Sequence, residues 1–371
     1  MSVKVRLGDY IQEYSVRNRA EEDIPVYSVT NTQGFCRDYF GKEVASKDKS
    51  TYKVVPRGCF AYNPSRINVG SVDWQRYEDR VIVSPLYNVF SVAPQLDQQY
   101  LYYYLKSGFA LQRIRAVATG SVRENLKLAM LYEFPISLPC MEMQKEIVKK
   151  LDGVKQVISL REQELQTLDD LIKARFVEMF GDPVTNPHGL PIVTLGKLSE
   201  LITKGASPSW QGFSYTDDSS QTLFVTSENV REGYLDLSSP KYIEDGFNEK
   251  QKRSMIHKGD FLINIVGASI GRAAQFNLDC KANMNQAAAL VRVDDDRIRD
   301  KYLLIYLNSE KAQHMYNSMK SDTGRANLSL QDINELAIMM PPVDKQMEYE
   351  QFVEQVDKSK LIAVRHCKSG V

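Results

Sequence analysis

The stretch Met141–Phe180 constrains the fold more than any other part of this 371-residue chain. Its apolar residues recur in alternating steps of four and three, the a/d spacing of a coiled coil, and only Arg161 interrupts them. No proline lies inside the stretch, and Gly181 and Pro183 end it. The pattern predicts one long helix that needs a second helix as its packing partner. The residues expected to pack are Ile147, Leu151, Val154, Ile158, Leu165, Leu168 and Ile172.

An internal repeat relates the sequence before this helix to the sequence after it. Arg57-Gly58-Cys59-Phe60 corresponds to Lys258-Gly259-Asp260-Phe261, an offset of 201 between the glycines. Gln144 corresponds to Gln346 at an offset of 202. Chance matches would not hold an almost constant offset over so long a stretch, so we interpret the chain as a duplication.

The repeat predicts the packing partner of the long helix. A second, shorter helix is expected after Gln346, with Val353, Val356 and Leu361 on its apolar side. Antiparallel pairing of the two helices would relate the two halves by a pseudo-two-fold axis. Strands rich in β-branched and aromatic residues alternate with helices in each half, so the expected fold class is α+β with two mixed, mostly antiparallel domains. The expected segments are 1–138, 139–183, 184–342 and 343–371.

Composition excludes several classes of protein. No run of 18 apolar residues is present, which argues against a membrane span. The N-terminus lacks the apolar segment of a secretion signal, and the five cysteines are scattered, so a cytoplasmic protein without structural metal is expected. The net charge is zero. Any nucleic acid would therefore be held through local patches.

Motifs of catalysis are missing from the sequence. A methyltransferase would need an N/D-P-P-Y/F motif, whereas the nearest match, Asn63-Pro64-Ser65-Arg66, lacks the second proline and the aromatic residue. Asp279-Cys280-Lys281 has the spacing of a nuclease metal motif, but one such triplet is expected by chance in a chain with this many charges. No P-loop is present, and the four histidines lie far apart in sequence. We expect no catalytic residue and no metal ligand in this chain.

Polar loops that contain arginine and asparagine occur at matching places in both halves. Arginine pairs with guanine edges and asparagine with adenine edges, while glycine lets the backbone approach phosphate. Solvated surface loops and helix-capping turns would give the same pattern, and both alternatives remain open. The candidate DNA-binding residues are Asn63, Ser65, Arg66, Asn68, Ser71, Arg113, Arg115, Ser121, Arg123 and Asn125 in the first half, and Ser227, Asn229, Ser269, Arg272, Asn285, Gln286, Arg325 and Asn327 in the second. Of these, Arg113 and Arg115 are expected on a helix, where they could contact phosphates or form part of a solvated face.

Over its whole length the chain resembles the specificity (S) subunit of type I restriction–modification systems. The most specific stretch is Leu171-Ile172-Lys173-Ala174-Arg175-Phe176-Val177-Glu178-Met179-Phe180-Gly181-Asp182-Pro183. Two further matches are Gln144-Lys145-Glu146-Ile147-Val148, and Gly267-Ala268-Ser269-Ile270-Gly271-Arg272 together with Met284-Asn285-Gln286. The second helix departs from the pattern because it has no counterpart of Phe176–Phe180.

The resemblance implies an organisation and a function. Residues 1–138 and 184–342 would be target-recognition domains, each reading one half of a split double-stranded DNA site, and 139–183 and 343–371 would be spacer helices. Such a subunit is not an enzyme: two methyltransferase (M) subunits dock on it, and nuclease–translocase (R) subunits join through them. It would bind no cofactor itself, since S-adenosylmethionine, ATP and Mg²⁺ belong to the partner subunits.

Two alternatives come from other classes of protein. The chain could be a DNA-binding or protein-binding scaffold with no role in restriction. It could also be a methyltransferase or nuclease that acts alone, against which the missing motifs argue. The target sequence itself depends on loop geometry and DNA shape, which no motif in the chain encodes.

Overall fold

The computed structural model describes residues 3–37, 48–118, 125–318 and 327–368. The chain divides into two compact units, Met1–Ser159 and Leu160–Val371. The boundary lies inside a continuous helix that begins at Met141 and ends at Phe180, as the heptad pattern predicts. The four segments expected from the sequence stay a prediction, since the compact units meet inside this helix and not at its ends.

The first unit consists of short strands, three short helices and the start of the long helix. Its strands pair as one four-stranded sheet, ordered β2-β9-β6-β7, and three two-stranded sheets, β1-β10, β3-β4 and β5-β8. The described elements are β1 (Val3–Arg6), β2 (Ile11–Glu13), β3 (Ser28–Thr30), β4 (Gly34–Cys36), β5 (Lys53–Pro56), β6 (Phe60–Tyr62), β7 (Val72–Trp74), β8 (Arg80–Val83), β9 (Asn88–Val92), α1 (Gln98–Lys106), α2 (Gly108–Val117), α3 (Leu128–Tyr132), β10 (Pro135–Leu138) and α4 (Met141–Phe180).

The second unit repeats this plan and adds a second larger sheet. Its sheets are ordered β12-β19-β16-β17, β13-β15-β14-β18 and β11-β20. The elements are β11 (Ile192–Thr194), α5 (Leu195–Leu198), β12 (Ser199–Lys204), α6 (Pro208–Gln211), β13 (Tyr215–Thr216), β14 (Thr222–Val225), β15 (Tyr242–Ile243), α7 (Gly246–Lys250), β16 (Phe261–Asn264), β17 (Ala273–Gln275), β18 (Ala282–Met284), β19 (Ala288–Val293), α8 (Asp300–Leu307), α9 (Glu310–Ser318), α10 (Leu330–Asn334), β20 (Ala337–Met339) and α11 (Val343–Lys368).

Corresponding elements of the two units have the same connections, which confirms the expected α+β class. In each, an antiparallel four-stranded sheet lies beside a pair formed by the first and last strands of the domain. Equivalent tyrosines on α1 and α8 fasten the helix to the last strand: Tyr100 donates to the main-chain oxygen of Ser137 at 2.8 Å, and Tyr302 donates to that of Met339 at 3.0 Å. The repeated sequence therefore builds the same local hydrogen bonds twice.

A buried glutamine near the start of each long helix shows the repeat most directly. The side chain of Gln144 accepts from the main-chain N–H of Asp97 at 2.8 Å and donates to the carbonyls of Gln95 and Pro139, each at 2.9 Å. Gln346 makes the same three bonds in the second unit. It accepts from Arg299 N–H at 2.8 Å and donates to the carbonyls of Arg297 and Pro341 at 2.9 and 2.8 Å. Both side chains are fully buried, so each helix start is locked to the turn that precedes α1 or α8.

Within the second unit, α11 packs antiparallel on the last turns of α4. Asp169 pairs with Lys360 at 2.6 Å, whereas Arg175, farther along α4, pairs with the earlier residue Glu348 at 3.2 Å. The hydroxyl of Tyr349 donates to the carbonyl of Ile172 at 3.0 Å. Antiparallel pairing of the two helices, predicted from the repeat, is therefore confirmed for this part of α4.

Only part of the predicted apolar stripe is covered. Ile172, Val353 and Val356 are buried, and Ile147, Leu165 and Leu168 are half-buried. The expectation was wrong for four residues, which are 39–58% exposed: Leu151, Val154, Ile158 and Leu361. On α4 the reason is length: α11 has 26 residues and α4 has 40, so an antiparallel partner cannot cover the start of the stripe. Leu361 lies on α11 itself, and its exposure has no such explanation.

Candidate nucleic-acid interface

Four strands of the second unit end at one edge of its sheets. β12 and β16 both run antiparallel to β19, with Lys204 opposite Ala289 and Asn264 opposite Ala288. β14 runs parallel to β18, and Asn285, just after β18, donates to the carbonyl of Val225 at 3.1 Å. The connections that follow these strand ends therefore leave the sheets on the same side, where they can present polar side chains together.

A polar cavity of about 510 Å³ lies at this edge. It brings together four of the eight candidate residues of the second half: Ser227, Asn229, Ser269 and Arg272. Sequence reasoning missed the other residues that line it, which are Glu228, Arg231, Asp236, Ser238, Ser239 and Lys241. The cavity is thus formed by the connection after β14, by the turn after β16, and by residues near the start of β15.

Two of the three cations at the cavity are neutralised locally. Arg231 pairs with Asp236 at 3.2 Å, and Lys241 pairs with Glu228 at 3.0 Å. The hydroxyl and main-chain N–H of Ser238, together with Arg231, hold the pKa of the Asp236 carboxyl below its usual range, so this carboxylate stays ionised. Arg272 is exposed, and no ion pair to it is found among the residues that the structure describes. The cavity therefore offers one cation for an anionic or electron-rich ligand.

Asn264, at the end of β16, forms hydrogen bonds to several segments that line the cavity. Its side-chain nitrogen donates to the carbonyl of Ser227 at 2.9 Å, to the carbonyl of Val230 at 3.3 Å and to the hydroxyl of Ser269 at 3.1 Å. The residue is fully buried, and its side-chain oxygen has no hydrogen-bond partner in the described part of the chain. Asn264 is not among the residues predicted from the sequence. The repeat could have identified it, because it lies 201 residues after Asn63.

The remaining candidates of the second half have different positions. Gln286 is exposed beside the same strand ends, while the half-buried Asn285 accepts from the main-chain N–H of Ala287 at 3.1 Å. Asn327 is exposed and bridges to Val266 on the turn after β16. Arg325 lies outside the described residues.

Asn229 requires a correction. It is 8% exposed, and its side-chain oxygen accepts from the N–H of Thr226 at 2.8 Å and from the Thr226 hydroxyl at 3.0 Å. Its side-chain nitrogen donates to the carbonyl of Asp236 at 2.9 Å. These bonds hold the cavity wall in shape, so the residue supports the site instead of reading bases.

The first unit builds a corresponding turn between β6 and β7. The side-chain oxygen of Asn63 accepts from Ser65 N–H at 3.1 Å and from the Ser65 hydroxyl at 2.9 Å. Arg115, on α2, donates from Nε to the carbonyl of Asn68 at 3.2 Å. Arg66 is exposed at the tip, and Asn125 is exposed nearby, where Leu126 N–H donates to the carbonyl of Pro64 at 3.1 Å. The turn, Arg115 and Asn125 therefore come together as one polar surface.

Two candidates of the first half are structural. Ser71 is only 2% exposed and cannot reach a base. Arg113 is half-buried, with its guanidinium 5.3 Å from the centre of the Phe134 ring, a cation–π contact that turns it towards the core. The expected DNA contact is corrected for both residues. Ser121 and Arg123 lie outside the described residues.

Two searches of the described ranges bear on other classes of site. Among these residues no group of three or more histidine, cysteine, aspartate or glutamate side chains is arranged to hold a metal ion. None of the helices so described combines the length and the apolar character that crossing a membrane requires.

Comparison with known proteins agrees with this arrangement. The family model for the type I restriction modification DNA specificity domain matches the chain twice, over residues 6–170 and 192–366. Both matched copies contain one of the polar turns described above. The two copies together cover most of the chain.

Individual relatives match at low identity. The EcoBI specificity subunit of a type I restriction enzyme from Escherichia coli is 23% identical over 286 residues, covering 69% of this chain and 58% of the relative. The StySPI specificity subunit from Salmonella potsdam is 21% identical over 277 residues, covering 70% and 58%. This alignment with the curated relatives thus takes in just over half of their length. In fold, a chain from a solved type I R-M system, described for its complex assembly and conformational transition, is similar with a TM-score of 0.59 at 19% identity, covering 99% of this chain and 94% of that one.

Proposed function

The chain belongs to the type I restriction–modification DNA specificity family, and from this we propose that it is the sequence-reading subunit of such a system. It would bind a two-part double-stranded DNA site, with one half-site read by each target-recognition domain. It would carry out no catalysis and bind no cofactor, because the motifs for methyl transfer, nuclease chemistry and NTP hydrolysis are missing from its sequence. S-adenosylmethionine, ATP and Mg²⁺ would be bound by partner subunits in the cytoplasm.

The main support for this proposal is that a polar turn occurs in both units, between equivalent strands of similar sheets. Each unit presents an exposed arginine, Arg66 or Arg272, on a turn between equivalent strands of its four-stranded sheet. The two units also share the three hydrogen bonds of the buried glutamine at the start of α4 and of α11. Two similar polar turns, one in each unit, fit a protein that reads two half-sites.

The partners follow from the same family. Two M subunits would dock on the chain and R subunits would join through them. The exposed apolar residues of α4, among them Leu151, Val154 and Ile158, lie on a helix surface that the chain leaves uncovered. Exposed apolar patches of this kind often mark protein–protein contacts, which supports docking of another polypeptide there.

Deletion of the gene from its host tests the function. We expect methylome sequencing to show that one two-part motif loses methylation, and that a plasmid copy of the gene restores it. Unchanged methylation in the deletion strain would contradict the proposal. A complex of this chain with its M subunit that binds DNA without any sequence preference would support the scaffold alternative.

Exchange of one domain tests whether each domain reads its own half-site. Replacing residues 1–138 by the corresponding domain of a relative with another target should change one half of the methylated motif and leave the other half intact. The reciprocal exchange of residues 184–342 is the matched control, and it should change only the other half. A change in both halves after either exchange would contradict independent reading by two domains.

A further inference from the structure

Arg272 stands on a turn that is fixed mainly by main-chain hydrogen bonds. The carbonyl of Arg272 accepts from Asn264 N–H at 2.9 Å, and its own N–H donates to the carbonyl of Ser269 at 3.2 Å. The next residue, Ala273, exchanges two 3.0 Å hydrogen bonds with the side chain of Asn308, which directly follows α8. The Cα of Arg272 therefore has a fixed place relative to the sheet.

Helix α9 supports the same turn from behind. Gly271 has φ of +87° and carries no side chain, and a Cβ there would come within 2.3 Å of the Tyr316 ring. The side chain of Gln313 donates to the carbonyl of Gly271 at 3.1 Å. Close packing and this bond make the turn rigid, and a rigid base for a side chain reduces the entropy lost when that side chain binds a ligand.

The electrostatics of the cavity single out Arg272. Arg231 and Lys241 each have a carboxylate partner within 3.2 Å, whereas Arg272 is exposed and, within the described ranges, has none. A guanidinium that is fixed at its base and free at its tip can donate two parallel hydrogen bonds. The acceptor pair that matches this fork on a DNA base edge is O6 and N7 of guanine.

We propose that Arg272 reads a guanine in the half-site bound by the second unit, from a turn that Asn264 joins to the cavity wall. The proposal rests on the proposed function and deepens it, because it names a base and the side chain that selects it. Phosphate binding by the same guanidinium is the competing outcome. It would supply affinity without sequence information.

The test uses the assembled complex of this chain with its M subunit and duplexes that carry the motif found by methylome sequencing. Each guanine of the half-site assigned to residues 184–342 is replaced in turn by 7-deazaguanine, which lacks the N7 acceptor. For the wild-type complex we expect one replacement to weaken binding by about 10-fold. In the Arg272→Ala complex the same replacement should have no further effect, and discrimination at the other half-site should be unchanged.

A matched variant and a melting curve control for general effects. Arg253→Ala removes an exposed arginine that does not line the cavity, and this complex should keep the full response to 7-deazaguanine. A melting temperature equal to that of wild type shows that Arg272→Ala is folded. If Arg272→Ala is not folded, Arg272→Lys takes its place, because lysine keeps the charge but loses the planar fork. Its complex should then respond less to 7-deazaguanine than the wild-type complex does.

Three results would overturn the inference. The half-site could lack guanine, no 7-deazaguanine replacement could weaken wild-type binding, or Arg272→Ala could weaken all duplexes equally and lower the slope of log K against log salt by about one, as a phosphate contact does. Failure of the proposed function gives a different result, because the wild-type complex would then show no preference for any sequence.

Discussion

Replacing Phe176 by alanine is expected to reduce the free energy of unfolding of the second unit by about 4 kcal/mol, roughly a thousand-fold in the ratio of folded to unfolded molecules. Phe176 is 3% exposed at the contact between α4 and α11. Its ring stacks on Tyr302 with centres 5.3 Å apart and meets Phe180 and Tyr349 edge-on at 5.1 and 5.6 Å. Truncation removes these contacts and leaves a cavity that the surrounding helices cannot fill.

Hydrogen–deuterium exchange of peptides from α8 measures this effect in the second unit by itself. Val177→Ala is the matched control, since Val177 is the next residue on the same helix, lies in the same unit and is 49% exposed. It should change stability by less than about 0.5 kcal/mol. Similar losses for the two variants would contradict this account, because they would show that the exposed side of α4 beside Phe176 is packed as tightly as the buried side.

Gln346→Ala is expected to cost about 3 kcal/mol, because it removes the partner of the part-buried Arg299 N–H and Arg297 carbonyl and of the buried Pro341 carbonyl. The lost bonds connect the start of α11 to the turn before α8, so we expect both helices to exchange amide protons faster. Thermal unfolding followed by circular dichroism gives the overall change. Gln144→Ala should have the same effect in the first unit, since its three bonds are equivalent.

Met347→Ala is the control for this variant. Met347 is the next residue along α11 and is 45% exposed, so its truncation should be nearly neutral. A stable Gln346→Ala protein, within about 0.5 kcal/mol of wild type, would mean that water replaces the amide and that the glutamine does not lock the helix.

The features that sequence could predict are those governed by a long-range pattern. The heptad spacing predicts the long helix α4, Gly181 and Pro183 mark its end at Phe180, and the repeat identifies α11 as its partner. The repeat also pairs Gln144 with Gln346, although only the structure shows that both bind main-chain groups. A periodic signal carries this information because each heptad adds evidence for the same helix.

Breaks between helices and the burial of individual side chains could not be predicted in the same way. Residues 100–115 suggest one helix, but Ser107 ends α1 and caps α2 by accepting from Ala110 N–H at 3.2 Å. Serine tolerates a helix interior and also favours an N-cap, so its type alone does not decide. Burial of Ser71 and Asn229, and the contact of Arg113 with Phe134, depend on neighbours that are remote in sequence.

The residues that line the polar cavity could be predicted only in part, for the same reason. Arg272 and Ser269 were identified because they lie on one turn, whereas Arg231 and Lys241 reach the cavity from a different connection. Their types and spacing resemble ordinary surface residues. Only the shared edge of the sheets brings them beside the turn, and only the distances to Asp236 and Glu228 show that their charges are neutralised.

The turn from Asn264 to Arg272 is held by main-chain atoms and by residues behind it, while the tip of the arginine takes no part in the hydrogen bonds that fix its backbone. The atoms that fix the shape of the turn are therefore different from the guanidinium atoms that would contact a base. If Arg272 reads a base as proposed, a substitution there changes which base is preferred without altering the backbone of the turn, so we expect new specificities to be accessible by single exchanges at this point. For protein engineering, that separation marks where a library should be placed.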